Sequence, residues 1–177
     1  MELLLLWGVV IMFGLGGGHL YYIAVVGAAQ CGPGLAVLAE KVGEEIARRG
    51  CALICGGRGG VMEAASRGAR RQGGLVLGIL PGKDPREGNN FLTMAVATGL
   101  GEARNAIITR TADAIIAVGG RYGPLSEIAL ALKMGKPVVG LKTWKLKPPC
   151  ELETGLVYCD TAAAAVETAL AAAGAAS

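Results

Sequence analysis

Twice in this chain an apolar run of strand length ends in a burst of glycine and passes straight into a helical pattern. Cys51 to Cys55 leads into Gly56-Gly57-Arg58-Gly59-Gly60, and Ala114 to Val118 leads into Gly119-Gly120-Arg121-Tyr122-Gly123. A strand that turns sharply into a helix needs residues without a Cβ at the corner. The free N–H groups at the start of the helix then face the loop and attract anions. A chain with two such corners is restricted to strand–turn–helix units laid side by side.

The remaining segments follow that plan. Tyr21 to Gly27 reads as a buried strand, and Leu35, Leu38, Ala39, Val42 and Ile46 recur at helical spacing up to Arg48-Arg49-Gly50. A helix is expected after the first glycine turn through about Gln72, a strand over 75–80, and a polar loop over 83–90. Further strands are predicted over 94–100, 114–118, 137–141 and 155–159. Helices are predicted over 102–111, from Pro124 to Met134, and from Thr161 onward. Alternation on this scale predicts a single-domain α/β, Rossmann-like, doubly wound parallel sheet with helices on both faces.

Composition agrees. Of 177 residues, 53% are hydrophobic, 18% are charged and 29 are glycine, which suits a buried sheet with tight corners. The net charge of +3 is spread in pairs such as Arg70-Arg71, so nucleic-acid binding is not expected. Five cysteines without a C-x-x-C, and His19 as the single histidine, argue against a metal site and for reduced thiols of a cytoplasmic protein. Residues 1–20 stand apart as an apolar extension before the nucleotide-binding domain of 21–177. The run Leu3 to Leu15 spans roughly 20 Å as a helix, short of the ~30 Å bilayer core, and lacks the basic start of a signal peptide. It reads as a disordered extension or a misassigned start, with a packed segment and a membrane anchor as the lesser alternatives.

The glycine turns do not belong to the commonest nucleotide sites. Gly57-x-Gly59 is followed by Met62 where a dinucleotide fingerprint carries its third glycine, and no acidic residue closes the second strand. Gly135-Lys136 is followed by Pro137, which removes a P-loop.

At Arg104-Asn105, Ala112-Asp113-Ala114 and Gly119 to Glu127 the chain resembles a known family, the one that includes the molybdenum-cofactor carrier protein. More broadly it is similar to the superfamily of LOG-type phosphoribohydrolases, often mislabelled lysine decarboxylases. The likeness runs from about Tyr22 to Thr143 and takes in Cys55-Gly56-Gly57, Gly59 to Ala65, Gly78 to Gly82 and Leu125 to Ala129. It implies a phosphorylated small-molecule ligand, with molybdenum cofactor or a nucleoside 5′-monophosphate as the candidates, and a homodimer or homotetramer. The expected ligand contacts are Gly27 on the first strand, then Gly56, Gly57, Gly59, Gly60 and Met62 on the first glycine turn. Arg104 and Asn105 follow, and then Gly119, Gly120, Arg121, Gly123 and Pro124 on the second turn.

In the LOG branch an arginine and a glutamate carry hydrolysis of an N-glycosidic bond, and the resemblance places them at Arg104 and Glu127. Three departures lie on the phosphate loops. Pro124 replaces a threonine, Arg121 replaces a glycine, and Ala29 stands where serine is common. Each removes or crowds a phosphate contact, so the reading taken forward is binding. Phosphoribohydrolase activity is the alternative, and a non-catalytic interaction module the second. Plainer roles are weighed beside these: Pro124 as a first helical residue, Glu63 and Glu127 as first-turn partners of a helix dipole, Arg104 as a surface residue, Asp113 as a cap, and Trp144 as packing.

Overall fold

The computed structural model describes residues 19–147 and 155–175, together with the backbone of two short strands near the N-terminus. Those two, β1 (Leu5–Leu6) and β2 (Val9–Val10), pair antiparallel. The expectation of an N-terminal extension falls otherwise on residues outside the description.

From Tyr22 the chain alternates as its apolar pattern predicts. The elements are β3 (Tyr22–Gly27), α1 (Pro33–Arg48), β4 (Ala52–Cys55), α2 (Val61–Arg71), β5 (Val76–Leu80) and β6 (Met94–Ala97). Then come α3 (Asn105–Thr111), β7 (Ala114–Val118), α4 (Tyr122–Lys133), β8 (Val138–Leu141), β9 (Leu156–Tyr158) and α5 (Ala162–Ala175). Seven strands form one sheet in the order β6-β5-β4-β3-β7-β8-β9, and every neighbouring pair is parallel.

Successive side chains of a strand point to opposite faces, so runs such as Ile23 to Val26 must be covered on both sides. Ile23, Val25, Leu53, Ile116 and Val118 pack with α1, α2 and α5. Ala24, Val26, Ile54, Ile115 and Ala117 pack with α3 and α4. The chain winds outward from β3 to β6 on one side, then returns to β7 and winds outward to β9 on the other. The direction therefore reverses between β3 and β7. The loops leaving their carboxyl ends diverge there, which opens a crevice at the topological switch point.

Several boundaries differ from the pattern-based expectation, two of them between β5 and α3. The strand predicted over 94–100 ends at Ala97, because the Thr98 hydroxyl donates to the Leu80 carbonyl (2.7 Å) and turns the chain. The helix predicted from Glu102 begins as a 3-10 turn, Gly101–Arg104, and becomes α-helical only at Asn105.

Candidate functional site

Both glycine turns lie at carboxyl ends of strands on the same edge of the sheet, after β4 and after β7. Between them a cleft of about 180 Å³ opens at the switch point. Gly27, Ala28 and Ala29 after β3 form one wall, and Arg121, Gly123 and Pro124 at the start of α4 another. Arg58, Met62 and Pro81 close it from the β4 and β5 side, and Glu102, Arg104, Asn105 and Glu127 line the rest.

Arg104 is the centre of this arrangement. It ends the 3-10 turn and is only 7% exposed, so it is not the surface residue that was one expectation. Its guanidinium lies directly over Gly56, where a Cβ would overlap it. That close approach is what demands glycine at position 56. Nη1 stands 3.7 Å from Glu127 Oε1, an ion pair longer than a hydrogen bond. Among the described residues Nε and Nη1, both buried, have no hydrogen-bond partner.

Glu127 is 6% exposed. Burial pushes its carboxyl up to about 7, against the pull of Arg104, while Glu102 adds to the rise. The first-turn reading of Glu127 is corrected here. α4 starts at Tyr122, with Arg121 as its N-cap, so Pro124 is its third residue and Glu127 its sixth. Glu127 thus lies one turn too deep to act as a dipole partner, and Pro124 is not the first helical residue. Proline is tolerated at the third position because the N–H groups of a first turn have no intrahelical acceptor anyway. The first backbone bond of the helix is Leu125 N–H to Arg121 O, at 3.1 Å.

Side chains around the cleft hold its walls in register. Asn105 Nδ2 donates to Ser126 Oγ (3.1 Å), which donates to the Gly123 carbonyl (2.8 Å), tying the start of α3 to the second glycine turn. Trp144 Nε1 donates to the Arg121 carbonyl (3.2 Å), and its indole packs on Gly120. Asp113 accepts from the Tyr22 N–H (2.8 Å) and serves the sheet rather than the cleft. Glu63 stands in the first turn of α2.

The predicted ligand residues separate into groups. Gly27, Met62, Arg104, Asn105, Arg121, Gly123 and Pro124 line the cleft with Glu127. Gly119 and Gly120 line a neighbouring cleft that shares Ala28 and Arg121 with the first. Gly56, Gly57, Gly59 and Gly60 line neither cleft and act as spacers, each with little room for a Cβ. Gly60, at φ 64°, passes close to the carbonyl groups of Ala28 and Ala29, and the Val61 N–H donates to Ala28 O at 3.0 Å. The first N–H of α2 is therefore already engaged by the chain itself.

Sequence reasoning did not single out Arg58, Glu102 or Asn89 for the site. Arg58 and Glu102 line the cleft from exposed positions. Asn89 pins the first glycine turn from outside through Nδ2 to Gly57 O (3.2 Å) and Arg58 O (3.1 Å). Arg58 could have been found as the one charged residue inside the first glycine cluster; nothing local marks Asn89. Among the described residues no group of three or more His, Cys, Asp or Glu could hold a metal ion, and no helix is long and apolar enough to cross a membrane.

Comparison with known proteins places the chain among relatives. A model of the SLOG cluster4 family matches residues 20–168. An uncharacterized protein of Archaeoglobus fulgidus is 48% identical over 139 residues, covering 78% of this chain and 88% of that protein. The solved structure of the molybdenum cofactor carrier protein of Chlamydomonas reinhardtii superposes with a TM-score of 0.76 at 32% identity, covering 88% of this chain and 99% of that one. A probable cytokinin riboside 5′-monophosphate phosphoribohydrolase of Oryza sativa subsp. japonica is 38% identical over 95 residues. That match covers 52% of this chain and 39% of the rice protein.

Proposed function

The chain belongs to the SLOG cluster4 family, and we propose that it is a binding protein for a phosphorylated nucleotide or nucleotide-derived cofactor, held in the switch-point cleft without turnover. The observation that carries this reading is Arg104. Arg104 lines the cleft with a buried guanidinium whose Nε and Nη1 have no hydrogen-bond partner among the described residues, and an anionic ligand there offsets the cost of burying its charge. Arg58 and Arg121 at the lining add positive charge where a phosphate would enter.

The solved relative that is a molybdenum cofactor carrier supports a phosphorylated pterin as the ligand class. Arg104, Arg58 and Arg121 would take its phosphate, and Gly27 and Gly123 would let it approach the backbone. The metal centre would travel as cargo and need no protein ligand. Pro124 argues for binding over turnover, since it withholds an N–H and a hydroxyl from the helix start that would grip a reacting phosphate.

Thermal melts with molybdenum cofactor and a panel of nucleoside monophosphates test this. At least one phosphorylated compound raises Tm, by about 2.7 kcal/mol of stabilisation at 100 times its Kd, and the wild-type protein releases no base from any of them. Tm unmoved by every phosphorylated compound overturns the proposal.

Glu127 favours a second reading. A carboxyl lifted to about 7 beside Arg104 can exchange a proton near neutrality, as hydrolysis of an N-glycosidic bond requires. Release of base by wild type, abolished in Glu127→Gln with ligand affinity retained, would establish phosphoribohydrolase activity in place of simple binding.

A further inference from the structure

The Arg104 cleft, at about 180 Å³, falls short of the ~300 Å³ at which small-molecule sites begin. It can bury a phosphate and part of a sugar but not a whole nucleotide. The neighbouring cleft is larger, at about 330 Å³, and shares the wall formed by Ala28 and Arg121. The two are compartments of one groove along the switch point, and their chemistry differs. The first is lined by Arg58, Arg104, Arg121, Glu102 and Glu127. The second has Arg121 as its one charged residue, with Leu35 as its partly exposed apolar side chain, the backbone of Gly119 and Gly120, and Gln30 and Cys31 just before α1.

We propose that this second cleft receives the uncharged heterocycle of the ligand, a flat ring of the nucleobase or pterin class. The phosphate of the same molecule lies with Arg104 across the Ala28–Arg121 wall. The inference rests on the reading of the Arg104 cleft as a phosphate site and adds the place of the ring. Leu35 and the flat backbone of Gly119 and Gly120 can accept the face of a flat ring, and the Gln30 amide, a donor and an acceptor on one group, can read its edge. Gly119 keeps the space open, since a side chain there would run into Leu35. A second phosphate would find no cation except Arg121, so an uncharged group is the better occupant.

Cys31 supplies a direct readout, because its free, half-buried thiol lines the second cleft and not the first. The wild-type protein is treated with iodoacetamide alone, with GMP, and with ribose 5-phosphate, and alkylation of the Cys31 peptide is followed by mass spectrometry. With GMP at about ten times its Kd the free fraction, and with it the Cys31 rate, falls about tenfold. Ribose 5-phosphate, which carries no ring, raises Tm but leaves the Cys31 rate unchanged. Gln30→Trp, a change at an exposed position, weakens GMP by about tenfold or more and leaves ribose 5-phosphate affinity as it was. GMP that raises Tm without protecting Cys31, equal protection by ribose 5-phosphate, or equal loss of both ligands in Gln30→Trp overturns the ring site while leaving the phosphate site standing. If neither compound raises Tm, Cys31 protection is read with molybdenum cofactor instead, and a Tm unmoved by that too overturns the phosphate reading and the ring site with it.

Discussion

Replacing Glu127 by glutamine should make the protein more stable at alkaline pH, although it removes half of a buried ion pair. The folded chain keeps a proton on Glu127 up to about pH 7, because burial disfavours the carboxylate more than Arg104 favours it. In the unfolded chain the same carboxyl loses its proton near the ordinary value of 4.5. Between those two values the native state binds more protons, so the stability this group contributes is full below about pH 4.5 and is lost as pH rises through about 7. At about 1.4 kcal/mol per pH unit, the penalty for holding Glu127 ionised approaches about 3 kcal/mol. That figure is an upper bound, since an ionised carboxylate draws water into the cleft. Glutamine imitates the protonated acid and Arg104 stays charged throughout, so Glu127→Gln should match wild type near pH 4 and exceed it by up to about 3 kcal/mol at pH 8. Urea unfolding of both proteins across this range measures the difference, in which other titrating groups cancel. A difference that stays flat with pH, or one that turns in favour of wild type as pH rises, would refute the reasoning. Arg104 would then be stabilising the carboxylate fully.

Gly56→Ala should act on the ligand more than on the fold. The added methyl overlaps the Arg104 guanidinium, so it costs about 1–3 kcal/mol of stability, seen as a lower Tm, and moves the buried donors away from the cleft, seen as weaker binding of GMP. Pro124→Thr returns an N–H and a hydroxyl to the third residue of α4, and titration calorimetry should show phosphate-bearing ligands gaining about 1–3 kcal/mol. No gain there would mean that the start of α4 does not touch the phosphate.

Much of this was legible in the sequence where one local cause decides the structure. Ala114–Val118 is uninterrupted apolar chain between Asp113 and Gly119, and β7 has those bounds. What escaped depends on parts of the chain distant in sequence. The first glycine turn looks like an anion cradle by composition, yet Ala28 O already holds the Val61 N–H and Asn89 holds the turn from outside. Gly56 instead makes room for Arg104, some fifty residues further along the chain, while Gly57 packs on Leu80 and Gly60 on the Ala28–Ala29 backbone. The depth of Glu127 was hidden by Gly123-Pro124, which reads as a helix start at proline. The helix begins at Tyr122 because glycine and proline are both acceptable before the first intrahelical N–H is needed. Glu102 came to the rim because the expected helix opens with a 3-10 turn that swings it over the cleft.

The central claim is that the buried Arg104 is an anion receptor, and titration of molybdenum cofactor into wild type and Arg104→Met tests it most directly. Methionine fills similar space without charge, so the fold persists while the two unpartnered donors are lost. Wild type should bind one molecule per chain, and Arg104→Met should bind more weakly by about 1.5–3 kcal/mol, roughly 10- to 150-fold. Equal affinity in the two proteins would contradict the account.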